Sequence, residues 1–134
     1  MAAPKPVVLL VEDEPAQREI LRYNLEADGF AVVCAADGEE AMERLAEGLP
    51  DLILLDWMMP HVSGLEVCRR LKLKPETRNI PVIMLSSRDG LFDKALSRQV
   101  GSDQFLTKPF SKEELLDAIR AHVPGFAAEE QPAP

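Results

Sequence analysis

The sequence predicts an α/β protein in which five βα units form a doubly wound, five-stranded parallel sheet. Short apolar runs alternate regularly with longer amphipathic stretches, which is the pattern of repeated βα units. Two of the runs, Leu52–Leu55 and Val82–Leu85, are apolar throughout, as strands covered on both faces are. The predicted strands are Val7–Val11, Ala31–Ala35, Leu52–Leu55, Val82–Leu85 and Gln104–Leu106.

The amphipathic stretches are predicted helices, and two of them carry clear start signals. Asp37 with Glu40, and Ser111 with Glu114, have the spacing of a capping box, in which each side chain accepts a bond from the other residue's backbone. The predicted helices are Ala16–Ala27, Glu39–Glu47, Gly64–Leu73, Leu91–Val100 and Lys112–His122.

The length and composition indicate one globular domain. A chain of 134 residues with 46% hydrophobic residues can bury one core of ordinary size. We expect residues 1–126 to form the domain and residues 127–134, which are small, acidic and proline-rich, to be a disordered tail. The longest apolar runs are too short to span a bilayer and the N-terminus lacks a signal peptide, so a cytoplasmic location without membrane contact is expected.

The charge balance disfavours nucleic acid as a partner. The chain has 23 acidic and 15 basic residues, giving a formal charge of −8. Because affinity for phosphate backbones comes from clustered lysine and arginine, direct DNA binding is not expected. Cys34 and Cys68 stand singly in apolar patterns, which favours buried thiols over a zinc site or a disulfide.

Polar residues follow four of the predicted strands, where an open α/β sheet binds its ligands. They are the acidic run Glu12-Asp13-Glu14, then Asp56, Ser86 and Lys108. Carboxylates that converge repel one another unless a cation binds or a pKa rises, and oxygen-only ligands select a hard ion, most plausibly Mg²⁺. With a lysine and a hydroxyl nearby, the set predicts a receptor for a phosphoryl group, with Asp56 as nucleophile.

Each feature taken alone also has a structural interpretation. Acidic residues favour the start of a helix, so Glu12-Asp13-Glu14 is also consistent with a solvated turn. Ser86 is consistent with a turn residue, and Lys108 with a surface loop. The joint occurrence of these residues at four strand ends favours the functional interpretation.

Over residues 7–123 the sequence resembles the receiver domain of two-component response regulators, the CheY-like family with its flavodoxin-like fold. Taken as a set, the matching motifs are highly specific. They are Leu-Val-Glu12-Asp13-Glu, Asp51-Leu-Ile-Leu-Leu-Asp56-Trp-Met-Met-Pro60 with Gly64 beyond it, Pro81-Val-Ile-Met-Leu-Ser86, and Phe105-Leu-Thr-Lys108-Pro109-Phe110.

The resemblance implies a phosphoacceptor and its metal site. Asp56 would accept a phosphoryl group from a sensor histidine kinase or a phosphotransfer protein, in the presence of Mg²⁺. Asp13 and Asp56 would bind the metal directly, Glu12 largely through water, and Met58 through its main-chain carbonyl.

The resemblance also implies a switch. Lys108 would pair with the phosphoryl oxygens, and the Ser86 hydroxyl would move to bond the phosphoryl group. The ring of Phe105 would turn inward behind it, and Pro109 would follow a cis peptide bond. The face formed by the fourth helix, the fifth strand and the fifth helix would then bind a downstream partner.

The two halves of the chain resemble different branches of the family. Up to about Met84 the sequence resembles receivers of phosphate-regulon transcription factors, and from Leu85 it resembles single-domain receivers of twitching-motility systems. A natural mosaic and an engineered chimera both explain this division. Transcription-factor receivers dimerise through charged pairs, but Gln99, Gln104 and Ala118 replace three charged residues of that network. We therefore expect a mainly monomeric receiver.

Three functions other than a phosphoacceptor switch are each consistent with part of the sequence. A phosphate-ester hydrolase usually needs an acid two residues after the nucleophile, and Met58 stands there. A second alternative is that the chain is the receiver fragment of a DNA-binding regulator. The residues after Phe126 are too few to form a DNA-binding domain. The intact acidic, hydroxyl and lysine set argues against an adaptor that works without phosphorylation.

Overall fold

A computed structural model describes residues 5–59, 62–87 and 91–123 and confirms the predicted α/β class. Five parallel strands form one sheet in the order β2-β1-β3-β4-β5, with helices on both faces. The elements are β1 (Val7–Val11), α1 (Pro15–Ala27), β2 (Ala31–Ala35), α2 (Gly38–Glu47), β3 (Leu52–Asp56), α3 (Gly64–Leu73), β4 (Val82–Ser86), α4 (Leu91–Gln99), β5 (Gln104–Thr107) and α5 (Lys112–His122).

The apolar runs become the strands with the deepest burial. All five residues of β3 and of β4 are buried, because helices cover both faces of these interior strands. The edge strands β2 and β5 are only partly buried. Alternate residues of the sheet face two separate hydrophobic cores, one beneath α1 and α5 and the other beneath α2 and α3.

Three strands run one residue further than predicted, and the added residues are polar. Asp56, Ser86 and Thr107 are the last residues of β3, β4 and β5. The hydrogen-bond ladder continues past two of them, since the Trp57 amide donates to the Leu85 carbonyl at 2.9 Å and the Lys108 amide to the Ser86 carbonyl at 2.7 Å. Backbone pairing therefore holds these polar residues together at the carboxyl ends of the strands.

One of the two predicted capping boxes forms completely. Ser111 and Glu114 each accept a hydrogen bond from the other's backbone amide, at 3.0 Å in both cases. Asp37 accepts from the Glu40 amide at 2.8 Å, but the Glu40 carboxylate accepts from Ala36 rather than from Asp37. The cap of α2 thus reaches one residue further back along the chain than the sequence pattern indicates.

Cys68 is buried, and that burial raises the pKa of its thiol to about 11. Cys34 is half-buried on β2, where burial also raises the pKa of its thiol. Within the described ranges, no helix is both long and apolar enough to cross a membrane. The expected tail, residues 127–134, lies outside the described residues.

Lys72 ties α3 to the start of β4 and β5, at the end of the sheet opposite the acidic residues. Its ammonium donates to the carbonyls of Arg78 and Ile80 at 3.1 and 2.8 Å, and to Oδ2 of Asp103 at 3.0 Å. The same carboxylate oxygen accepts from the Val82 amide at 2.8 Å. One largely buried lysine therefore joins three elements of the fold.

Replacing Lys72 with Met should lower the free energy of unfolding by about 1–3 kcal/mol, because Asp103 and two carbonyls lose their donor. Urea denaturation measures the change. Lys74→Met is the matched control, since Lys74 is exposed and should change stability by less than about 0.5 kcal/mol. Equal effects of the two substitutions would contradict the assignment of Lys72.

Candidate functional site

Three carboxylates meet at the carboxyl ends of β1 and β3. Glu12, Asp13 and Asp56 each present an oxygen, and these oxygens lie within 4.8 Å of one another. Strands β1 and β3 are neighbours in register, so the residues that follow or end them are brought together by backbone pairing. An all-oxygen donor set of this charge fits Mg²⁺ and contains no nitrogen or sulfur ligand that would favour a softer metal.

Burial and like charge act together on Asp56, whose residue surface is only 5% exposed. Burial of the carboxyl group and the nearby negative charge of Glu12 raise the pKa of Asp56 to about 7. The positive charge of Lys108 and the hydrogen bond from the Met58 amide oppose this rise. The charged form of Asp56 is therefore less favourable in the folded chain than in water, even with Lys108 nearby.

Lys108 supplies the positive charge of the site. Its Nζ lies 3.2 Å from Oε1 of Glu12 and 3.6 Å from Oδ1 of Asp56. The Lys108 amide donates to the Ser86 carbonyl, which holds the backbone of Lys108 in place. The Lys108–Pro109 peptide is cis, as the resemblance implied. A single ammonium group thus faces two of the three carboxylates.

Ser86 and Met58 lie at the same edge with very different exposure. Ser86 is fully buried and is paired in register with Thr107 of β5. Met58 is 55% exposed, and its amide donates to Oδ1 of Asp56 at 3.3 Å. The Met58 backbone therefore lies beside the acidic cluster while its side chain points to solvent.

Phe105 is half-buried on β5 and contacts Trp57, the residue after Asp56. The two rings meet edge to face, with centroids 6.0 Å apart and an interplanar angle of 76°. Such aromatic pairs contribute to stability beyond the burial of their surface area. The predicted switch residue is thereby connected to the segment that carries Asp56.

Sequence reasoning missed the contact that Arg18 makes with the acidic segment. Its guanidinium donates to the main-chain carbonyl of Glu12 at 2.9 Å and so braces the end of β1. No short-range pattern marks this contact, because Arg18 is one of several charged residues on α1.

Gly64 begins α3 and lies very close to the backbone of Asp56. A β-carbon at this position would lie 2.2 Å from the Asp56 carbonyl oxygen, closer than atoms pack. Its amide also donates to the Trp57 carbonyl at 2.9 Å. The absence of a side chain at Gly64 therefore lets the start of α3 approach the backbone of Asp56.

Comparison with known proteins identifies the family of this chain. The family model described as "response regulator receiver domain" matches residues 8–120. The chain is 49% identical over 119 residues to Protein PilG of Pseudomonas aeruginosa PAO1, covering 89% of this chain and 88% of PilG. It is 48% identical over 116 residues to the phosphate regulon transcriptional regulatory protein PhoB of Rhizobium meliloti (strain 1021), covering 87% of this chain and 51% of PhoB.

Solved structures show the same fold. The chemotaxis protein CheY4 of Vibrio cholerae superposes with a TM-score of 0.84 at 29% identity, over 88% of this chain and 98% of that chain. The receiver domain of the sensor histidine kinase PA1611 of Pseudomonas aeruginosa PAO1 superposes with a TM-score of 0.82 at 28% identity, over 89% and 98%. That structure has a magnesium ion coordinated in its active-site cleft.

The chain belongs to the response regulator receiver family, and it is a receiver domain of two-component signalling. Receiver domains bind Mg²⁺ at their acidic site and interact with histidine kinases or phosphotransfer proteins. The resemblance to both branches is confirmed, with PhoB and PilG matching almost equally well. The chain spans about half the length of PhoB and most of the length of PilG.

The raised pKa predicts an unusual pH dependence of stability. Between about pH 4 and pH 7 the unfolded chain has lost the proton of Asp56 while the folded chain still holds it. Folding then binds a proton, so in EDTA this group makes the free energy of unfolding fall as pH rises through that window. Asp56→Asn should lack this component and be more stable than wild type at pH 7.5 by about 1–3 kcal/mol, allowing for solvent screening.

Urea denaturation in EDTA at several pH values measures this difference, which should vanish near pH 4. Glu43→Gln is the control because Glu43 is exposed on α2 and should leave the pH profile unchanged. An Asp56→Asn protein that is less stable than wild type at pH 7.5 would contradict the prediction.

Proposed function

We propose that this chain is a phosphoacceptor switch in which Asp56 takes a phosphoryl group from the phosphohistidine of a sensor kinase or phosphotransfer protein. The position of Asp56 carries the proposal. It ends a central strand, lies within the acidic cluster and has the Lys108 ammonium 3.6 Å from its Oδ1. A nucleophile, a cation-binding site and a positive charge are thus gathered at one point.

In the proposed reaction, a carboxylate oxygen of Asp56 forms a bond to phosphorus while the P–N bond of the phosphohistidine breaks. The imidazole nitrogen leaves with the electron pair of that bond, and Asp56 becomes an acyl phosphate. Negative charge is spread over the three phosphoryl oxygens, and Lys108 is positioned to pair with them. Bound Mg²⁺ would neutralise part of this charge and of the surrounding carboxylates.

The metal ligands we propose are those that the family motif assigns. Asp13 and Asp56 would bind the ion through carboxylate oxygens, Met58 through its main-chain carbonyl, and Glu12 largely through water. Their support is the close approach of the three carboxylates and the position of the Met58 backbone beside Asp56.

Ser86 and Phe105 are proposed to transmit the phosphorylation. The Ser86 hydroxyl would bond the phosphoryl group, and the Phe105 ring would move behind it. Their support is their placement on the adjacent strands β4 and β5, together with the contact of Phe105 with Trp57. Phe105 has no phenol, so its ring position alone would carry the signal.

The output is proposed to be the binding of a downstream protein by the face of α4, β5 and α5. The chain would catalyse only its own phosphorylation and dephosphorylation, since Met58 stands where a hydrolase needs a second acid. We place the domain, residues 1–126, in the cytoplasm, consistent with its two free thiols. The net charge of −8 supports an output without direct nucleic-acid binding.

A second candidate function has a specific observation in its favour. The match to PhoB covers only 51% of that transcriptional regulatory protein. The chain would then act as the receiver part of a longer regulator, with DNA binding carried by residues outside this match.

Labelling by acetyl phosphate tests the proposed phosphoacceptor. In the presence of Mg²⁺ the wild-type chain should gain the mass of one phosphoryl group, and EDTA should abolish the gain. Asp56→Asn should gain none, whereas the control Asp117→Asn, at an exposed position on α5, should label like wild type. Intact-mass spectrometry is the measurement, and labelling of Asp56→Asn equal to wild type would overturn the proposal.

The oligomeric state tests the expected monomer. Ala118 and Gln104 carry no charge, so neither can form an ion pair with a second copy. Ala118 is also buried, and the Gln104 side chain bonds to the His122 ring at 3.0 Å. Light scattering over a concentration series should give a mass near 14.9 kDa, with or without beryllofluoride and Mg²⁺. A tight dimer formed on activation would contradict this expectation and favour the second candidate.

A further inference from the structure

The two arginines of α1 use their guanidinium groups differently. Arg22 lies within ion-pair distance of Glu19 and Glu26, three and four positions away on the same helix. Arg18 also has an acidic residue four positions away, Glu14, and this spacing favours an ion pair. In the part of the chain that the structure describes, however, no carboxylate lies within ion-pair distance of Arg18. Its guanidinium is directed to a partner of another kind.

That partner is the main-chain carbonyl of Glu12, which accepts from Nη1 of Arg18 at 2.9 Å. The carboxylate of Glu14 is engaged elsewhere, because it caps α1 by accepting from the Gln17 amide at 2.7 Å. The helix therefore places a half-buried cation against the segment that enters the acidic cluster, instead of pairing it with an acidic residue of α1.

Glu12 is held at each of its four polar groups. Its amide donates to the Ala35 carbonyl at 3.0 Å, and its carbonyl accepts from Arg18. Its carboxylate oxygens accept from Nζ of Lys108 and from the Glu14 amide, at 3.2 Å in both cases. Lys108 belongs to the proposed phosphoryl site and two of the partners are backbone groups, which leaves the Arg18 side chain as a donor without an assigned role.

Asp13, the next residue, has no such support of its own. Over the described residues, no hydrogen bond or ion pair holds the Asp13 carboxylate, although one of its oxygens lies within 4.8 Å of oxygens of Glu12 and Asp56. The Glu12 carbonyl and the Asp13 α-carbon lie in one peptide plane. The bond from Arg18 fixes the direction of that carbonyl, so it also fixes where the Asp13 side chain leaves the backbone.

We propose that Arg18 is a positioning residue of the cation site, which holds Asp13 where Mg²⁺ requires its carboxylate. Arg18 acts through the Glu12 carbonyl and does not bind the metal itself. The inference rests on the proposed ligand set, in which Asp13 binds the ion directly. Mg²⁺ demands near-ideal octahedral geometry at short distances, whereas Ca²⁺ accepts longer and less regular coordination. Loss of the bond should therefore weaken Mg²⁺ binding more than Ca²⁺ binding.

The charge of Arg18 acts in the opposite direction to its hydrogen bond. A guanidinium close to the carboxylates repels a bound cation, so if charge were its only effect, its removal would tighten the binding of Mg²⁺ and Ca²⁺ alike. A contact that served stability alone would leave both affinities unchanged. Positioning, charge and stability thus predict three different results.

Cation titrations of the full chain, followed by the fluorescence of Trp57, test the proposal. Trp57 is the chain's one tryptophan and follows Asp56 directly. Arg18→Met should weaken Mg²⁺ binding about tenfold and Ca²⁺ binding less than about threefold. Arg18→Lys keeps the charge but replaces the planar guanidinium with an ammonium, so its Mg²⁺ affinity should lie between those of wild type and Arg18→Met.

The matched control is Arg22→Met, which removes the same charge four positions further along α1, at a residue paired with Glu19 and Glu26. Both affinities should stay within about twofold of wild type. Tighter binding of both cations by Arg18→Met, equal weakening of both, or an unchanged Mg²⁺ affinity would overturn the proposal.

Urea denaturation in EDTA establishes that each variant is folded before titration. If Arg18→Met is unfolded, the comparison is made with Arg18→Lys, whose Mg²⁺ affinity must then fall below that of wild type by more than its Ca²⁺ affinity does. Equal affinities of Arg18→Lys and wild type for Mg²⁺ would in that case overturn the proposal.

Acetyl phosphate labelling of the wild-type sample separates this inference from the proposed function. Labelling at Asp56 together with unchanged cation affinities of the Arg18 variants would overturn the role of Arg18 alone. Mg²⁺ binding that depends on Arg18, without labelling, would overturn the phosphoacceptor and leave the positioning role in place. A wild-type chain that binds no Mg²⁺ would overturn both.

Discussion

Repulsion among three carboxylates held at one edge of the sheet is the constraint on which this molecule depends. Glu12, Asp13 and Asp56 present oxygens within 4.8 Å of one another, yet the strands that carry them belong to the most deeply buried part of the fold. The hydrophobic cores on both faces of the sheet must outweigh this repulsion. Lys108 relieves only part of this repulsion, so a bound cation would stabilise the site further.

The topology of the sheet determines which residues share that edge. The first strand lies between β2 and β3, so the chain turns in opposite directions from β1 and opens a crevice at the carboxyl ends of β1 and β3. The acidic residues follow β1 and end β3, and β5 delivers Lys108 from the far side of β4. Close approach at Gly64 and the brace from Arg18 fix the two acidic segments relative to this crevice.

The sequence predicted the elements well where a local pattern determined them. Continuous apolar runs marked β3 and β4, and the pair Ser111 and Glu114 marked the start of α5. The predicted β3 and β4 ended one residue too early because Asp56 and Ser86 are polar, although backbone pairing continues through both residues. The Arg18 contact and the bonds of Lys72 were not predicted, since each joins residues that only the tertiary fold brings together.

The charged residues of this chain differ in how far neighbouring residues compensate them. In four of the helices an arginine pairs with an acidic residue three or four positions away, so these charges are compensated within the helix. Like charges lie close together in the acidic cluster, which Lys108 compensates only in part, and at Lys94 and Arg98 on α4. The ring of Trp57, the residue after Asp56, meets the ring of Phe105 on β5 edge to face. A change of charge at Asp56 that shifts this ring contact would therefore act on β5 through Phe105.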